Sequence, residues 1–241
     1  MIRTMPVVAI TLRSLVDRRR FWLMVLLAAV PVLITLLGTT LGDAQFSEQV
    51  FDRLIVQTVL PLIALVFGTG ALGTEFEDGT IVYLLTKPTR RFRIVFSKAA
   101  VAAGLTAALV VPATLLTGLI AATEDSAIVE ATVAYAVAVA VGGTAYALAF
   151  LALSSFTSRA LAIGLGYVLI WEGILAGLLP GTQTFSIRQA TLGLADALQD
   201  GGRGSTTIDP STSAVVLGIV IVGSLVLASW RLSRYQLRGS D

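Results

Sequence analysis

The chain has 241 residues, 56% of them hydrophobic and 13% charged, with a net charge of +2. Soluble domains run nearer roughly 45–50% apolar and 25% charged, so the composition excludes an ordinary soluble domain and points to a multi-spanning membrane protein. With no cysteine, no histidine and three methionines, disulfides and thiolate metal sites are excluded, the usual general base is missing, and catalysis within the chain is not expected.

Residues 1–20 come first. Met5, Val8, Leu12 and Leu15 recur at helical spacing, while Arg3, Arg13, Asp17 and Arg20 lie elsewhere on the wheel. That pattern predicts an amphipathic helix lying on the inner leaflet. The apolar run after Arg18-Arg19-Arg20 starts far from the beginning and lacks a small-residue cleavage site, so a retained span is expected there rather than a removed signal.

Windows of about 20 apolar residues predict spans near 21–41, 54–73, 99–122, 131–153, 160–179 and 212–230. The fold class expected is an all-α integral membrane protein of six spans in a single domain, 1–241. Pro31, Pro61 and Pro112 fall inside spans and are expected to kink them. Glycine pairs such as Gly68 and Gly73, Gly142 and Gly143, or Gly173 and Gly177 read as ordinary close packing between helices.

Between spans two and three lies the segment 74–98, dense in charge within an otherwise apolar chain. Acids lead it (Glu75, Glu77, Asp78), then Gly79-Thr80, an apolar turn with Ile81, Leu84 and Leu85, then Lys87-Pro88 and the bases Arg90, Arg91 and Arg93. The acids suit the positive end of a helix dipole. Ile81, Leu84 and Leu85 form one apolar anchor, and Pro88 ends the helix. A loop serving only topology needs neither the acids nor the anchor, so docking into a partner's groove is the expectation. Arg90, Arg91 and Arg93 suit lipid head groups as well as a protein partner.

Further along, the acidic loop 123–130 reads as a turn. Glu172 is the only acid inside a predicted span. A charge at that depth costs roughly 2.5–3.5 kcal/mol on insertion scales, so a partner is required, and Arg188 is the candidate if its segment folds back. A structural tie for the next helix, a role in gating, and a proton relay remain open for Glu172. The loop 180–211 begins with Pro180-Gly181, is too polar to span, and carries an expected interfacial or re-entrant helix, with Phe185, Gln189, Leu192 and Asp196 on one side and Ile187, Leu194 and Leu198 on another.

Lysine and arginine mark the cytoplasmic side. Every base except Arg53, Arg188 and Arg203 falls in the N-terminal arm, the 74–98 segment, the turn at Arg159 or the tail, while Asp43, Glu48, Asp52, Glu124, Asp125, Glu130, Asp196, Asp200 and Asp209 occupy the opposite loops. Six spans with both termini cytoplasmic satisfy this partition. The bases lack an interleaved aromatic surface, so no nucleic-acid partner is expected.

The segment as a whole resembles the coupling region of ABC-2-type transporter permeases, typically E-x-x-x-G-T-x-x-x-L-L-x-x-P-x-x-R. Glu75, Gly79, Thr80, Leu84, Leu85, Pro88 and Arg91 match it. Trp171-Glu172-Gly173 and Phe185-Ser186-Ile187-Arg188-Gln189 resemble a further pair found in some branches. The resemblance implies an N-terminal elbow helix, a cytoplasmic coupling helix between spans two and three, and re-entrant helices before span six. It also implies pairing with a second permease copy or paralogue and docking of a separate ATPase subunit. ATP and Mg would reside on that subunit, since the chain has no G-x-x-x-x-G-K-[ST] phosphate loop. The expected setting is a bacterial or archaeal cytoplasmic membrane, in contact with its lipids, and the expected function is export. A secondary transporter, which would need paired intramembrane ions and probably inverted repeats, and a non-transporting membrane subunit with an ATPase partner are the alternatives.

Overall fold

A computed structural model describes Leu15 and residues 18–41, 50–77, 91–122, 128–175, 183–199 and 209–234. Seven helices account for nearly all of them, with no strand among the described residues. Helix α1 is Arg18–Leu41. Helix α2 opens as a π-helix, Val50–Val59, and continues as an α-helix, Leu60–Glu77. Helix α3 is Arg91–Ala121 and α4 is Ile128–Phe156. Helix α5 runs as an α-helix over Ala160–Gly166 and as a π-helix over Tyr167–Leu175. A 3₁₀ turn at Gln183–Phe185 leads into α6, Ile187–Ala197, and α7 is Pro210–Arg234.

Five of these helices are long and apolar enough to cross a membrane: Phe21–Thr39, Val50–Gly73, Phe92–Ala121, Ile128–Phe156 and Pro210–Arg234. The apolar helix Ala160–Leu175 is shorter. Within the span windows, 67% of α2 and of α4 is buried but only 22% of α1 and of α7, which puts the first pair at the centre and the second at the rim. Helix α4 is the hub, packing against α2, α3, α5, α6 and α7.

Two span boundaries differ from the hydropathy reading. The second span starts at Val50 rather than 54, because Phe51 stacks on Tyr135 with ring centroids 4.9 Å apart and the Tyr135 hydroxyl donates to Asp52. The third helix begins at Arg91 rather than 99, because Lys98, which hydropathy places outside the span, is buried within the packing. The π register of early α2 ends beside Pro61, which has no N–H to give an α-helical bond. Several hydroxyls of the apolar interior return to their own helices: Thr35 donates to Pro31 O, Thr69 to Leu65 O, Thr106 to Ala102 O and Thr114 to Val110 O. That satisfies a polar atom where no water is at hand.

Helices in lipid gain little from hydrophobicity when they meet, so close backbone approach has to hold them. Gly68 lies so near α4 that a Cβ there would stand 2.5 Å from the Ala147 carbonyl oxygen. At Gly142 a Cβ would meet Thr191 Oγ1 of α6 at 2.2 Å, and at Gly118 it would overlap Thr132.

These contacts also fix which ends coincide. Lys98 reaches Ala71, Gly73 faces Ser154, and Arg231 lies over the Phe156 ring, so the ends of α2, α4 and α7 share one end of the bundle with the start of α3. Asp52 with Tyr135 and Gly118 with Thr132 define the other end. Among the described residues the first end gathers Arg91, Arg93, Lys98, Arg159, Arg231 and Arg234, while the second holds Asp52, Glu130, Asp196 and Asp209 with Arg53.

Candidate functional site

Midway along the bundle the start of α6 meets α5, and the polar centre forms there, against Tyr146 and Phe150 of α4. Glu172 is 1% exposed. Its Oε1 accepts from the Tyr167 hydroxyl at 2.9 Å and from the main-chain N–H of Ile187 at 3.0 Å, and its Oε2 accepts from Ser186 Oγ. Ser186 is the N-cap of α6, its oxygen accepting from Gln189 N–H at 3.1 Å. Two of the N–H groups that begin every helix without an intrahelical partner are thereby satisfied, one by the cap and one by a carboxylate from another helix.

The chemistry is that of an anion on a helix N-terminus. Oriented N–H groups and the positive end of the helix dipole favour a carboxylate, and hydrogen bonds to a charged acceptor are the strong ones. The local fold explains why Tyr167 takes part. Residues 167 and 172 stand one i→i+5 step apart, and they meet because this stretch is wound as a π-helix. Tyr167 packs edge-on to Phe150, which stacks on the buried Tyr146, so an aromatic wall from α4 backs the site.

Arg188 does reach Glu172, but by another route than an ion pair. Its Nη1 donates to the main-chain carbonyl of Glu172 at 3.3 Å, while the carboxylate is taken by Tyr167, Ser186 and Ile187. Sequence reading named Glu172 and Arg188 and missed Tyr167 and the cap role of Ser186. The faces expected for α6 also differ: Ile187, Leu192 and Asp196 are all buried, whereas Phe185 is 74% exposed. Helix α6 is embedded against α4, α7 and the start of α2, so burial wraps around it instead of favouring one side.

Of the docking residues read from the sequence, Asp78, Gly79, Thr80, Ile81, Leu84, Leu85 and Pro88 lie outside the described residues. Glu75 and Glu77 fall in the last turns of α2, and Arg91 opens α3. Both flanks of the segment therefore stand at the basic end of the bundle.

Long apolar helices and a buried carboxylate capping a short embedded helix define a multi-pass helical membrane protein. The family model described as "ABC-2 family transporter protein" matches residues 16–173, from the entry of α1 through Glu172. The chain belongs to that family of transporter permeases. No curated protein matches it.

Proposed function

We propose that the chain is the permease subunit of an ATP-driven exporter, with ATP and Mg bound on a separate ATPase that docks at residues 74–93. One observation carries this reading: the segment with an acidic start, an apolar anchor and a basic finish joins α2 to α3 at the bundle end where the bases gather. By the inside rule that end is cytoplasmic, so both termini lie inside a bacterial or archaeal cytoplasmic membrane. Residues 160–179 serve as the fifth of six spans, and α6 is a re-entrant helix in the outer half.

Pairing with a second copy or a paralogue draws its support from the family, and exposed apolar faces that would otherwise meet lipid are available for it, α1 and α5 among them. Trp22, Leu26 and Leu33 of α1 are exposed, as are Leu161, Leu169 and Ile174 of α5. Closure of two ATPase subunits would push the coupling segments, tilt the spans and alternate access for a hydrophobic or amphipathic cargo such as a drug, lipid or peptide. A secondary transporter draws less support, since the buried carboxylate of Glu172 already accepts from three donors of its own chain.

The test is co-purification of the tagged chain with ATPases from its host membrane. Wild type is expected to bring down an ATPase, and Glu75→Arg/Leu84→Asp is expected to lose it while staying monodisperse. A stable wild-type chain that purifies without any ATPase would overturn the proposal.

A further inference from the structure

Lys98 is a base that neither the docking segment nor the Glu172 site uses. It lies in the early part of α3 and is 2% exposed, beside the buried Val95, Ala99 and Ala102. A lysine near a helix end usually runs its stem out to the head groups, and Arg93, five residues earlier, is exposed. Lys98 points across the bundle instead. Its Nζ donates to the main-chain carbonyl of Ala71 in α2 at 2.5 Å. Placing an ammonium within a span is costly, so its position inside the packing calls for a return.

The location supplies one. Ala71 lies near the end of α2 and Lys98 near the start of α3, and the chain between those ends is the docking segment. Among the described residues no glycine brings α2 against α3 as Gly68 brings α2 against α4, so packing alone pins the axial register of this pair less firmly. A directional bond from a charged donor does fix it.

We propose that Lys98 is a positioning residue that ties the end of α2 to the start of α3, making the two helix ends one stalk. A displacement of the segment at its tip then passes to both helices together instead of being absorbed at the chain reversal. The source of the displacement rests on the ATPase reading above; the tie itself does not.

The chain has no cysteine, so introduced pairs can be labelled cleanly. Position 73 accepts a side chain, since a Cβ there meets only Ser154 Cβ at 3.6 Å, and Arg93 is exposed. Spin labels at Gly73→Cys and Arg93→Cys report the α2–α3 separation by double electron–electron resonance. In wild type the distance distribution is expected to be narrow and the same with and without vanadate-trapped nucleotide on the co-purified ATPase. Lys98→Met is expected to widen it about twofold without loss of the ATPase, while Lys98→Arg stays close to wild type. A wild-type distance that moves on trapping, or an unchanged distribution in Lys98→Met, would overturn the tie. Absence of any ATPase would sink the docking reading alone, and the resting distributions would still decide the tie. If Lys98→Met does not fold, the wild-type comparison between the two nucleotide states decides it.

Discussion

A carboxylate at 1% exposure survives in an apolar span only if every oxygen is occupied, and in Glu172 both are. The donors divide the consequences of substitution unevenly. Glu172→Leu strips acceptors from Tyr167, Ser186 and Ile187 at once, and the loss expected is about 3–5 kcal/mol, the range for breaking a buried charged arrangement. Glu172→Gln keeps one acceptor and is expected to lose about 2 kcal/mol. Arg188→Leu removes a bond to a main-chain carbonyl only, and about 1.5 kcal/mol is expected. Thermal or denaturant unfolding in detergent orders the three variants. A loss at Arg188 as large as that of Glu172→Leu would mean that the pair acts through its charges after all.

At the scale of the helices, the glycines separate into kinds that composition does not reveal. Gly68 faces a main-chain oxygen that has no rotamer to escape by, so Gly68→Ala has to push α2 from α4. Overpacking of this sort costs about 1–3 kcal/mol, and a lower melting temperature is expected. Gly104 and Gly218 have nothing within 4 Å of a would-be Cβ. Alanine there is expected to leave the melting temperature unchanged or raise it, since glycine is the weaker helix former by about 1 kcal/mol. Equal effects at Gly68 and Gly104 would refute the packing of α2 on α4. The same scale explains α6. Its cap and its anchoring acid come from different parts of the chain, so the helix is complete only when α5 has delivered Glu172 to it.

For the whole molecule the charge partition makes a direct prediction. Single cysteines replacing Arg93, Arg159 or Arg234 are expected to react with an impermeant maleimide only after the membrane is opened, and one replacing the exposed Asp209 in intact cells. Labelling of Asp209→Cys from the same side as Arg93→Cys would remove the crossing by α7 and the outer placement of α6 with it. Aromatic rings accompany the bases at the same end: Arg231 lies 5.6 Å from the Phe156 ring centroid and Arg234 lies 4.3 Å from that of Trp230. Cation–π contact lets a base stay near the apolar boundary, which suits a helix end at a membrane surface.

How much of this was legible beforehand follows from which forces are local. Hydropathy and charge act on each segment whatever its neighbours, so the apolar runs, the uneven placement of bases and acids, and the need of Glu172 for a partner could all be read from the residues. The family pattern around Glu75, Gly79 and Pro88 was readable for the same reason, being contiguous. Which donors reach Glu172 depends on a π-helical turn and on where α6 inserts, and neither leaves a periodic trace. Lys98 shows the limit most clearly. By hydropathy it ends a loop, and only the packing of α3 on α2 turns it into a buried group holding Ala71, because the carbonyl it bonds belongs to another helix.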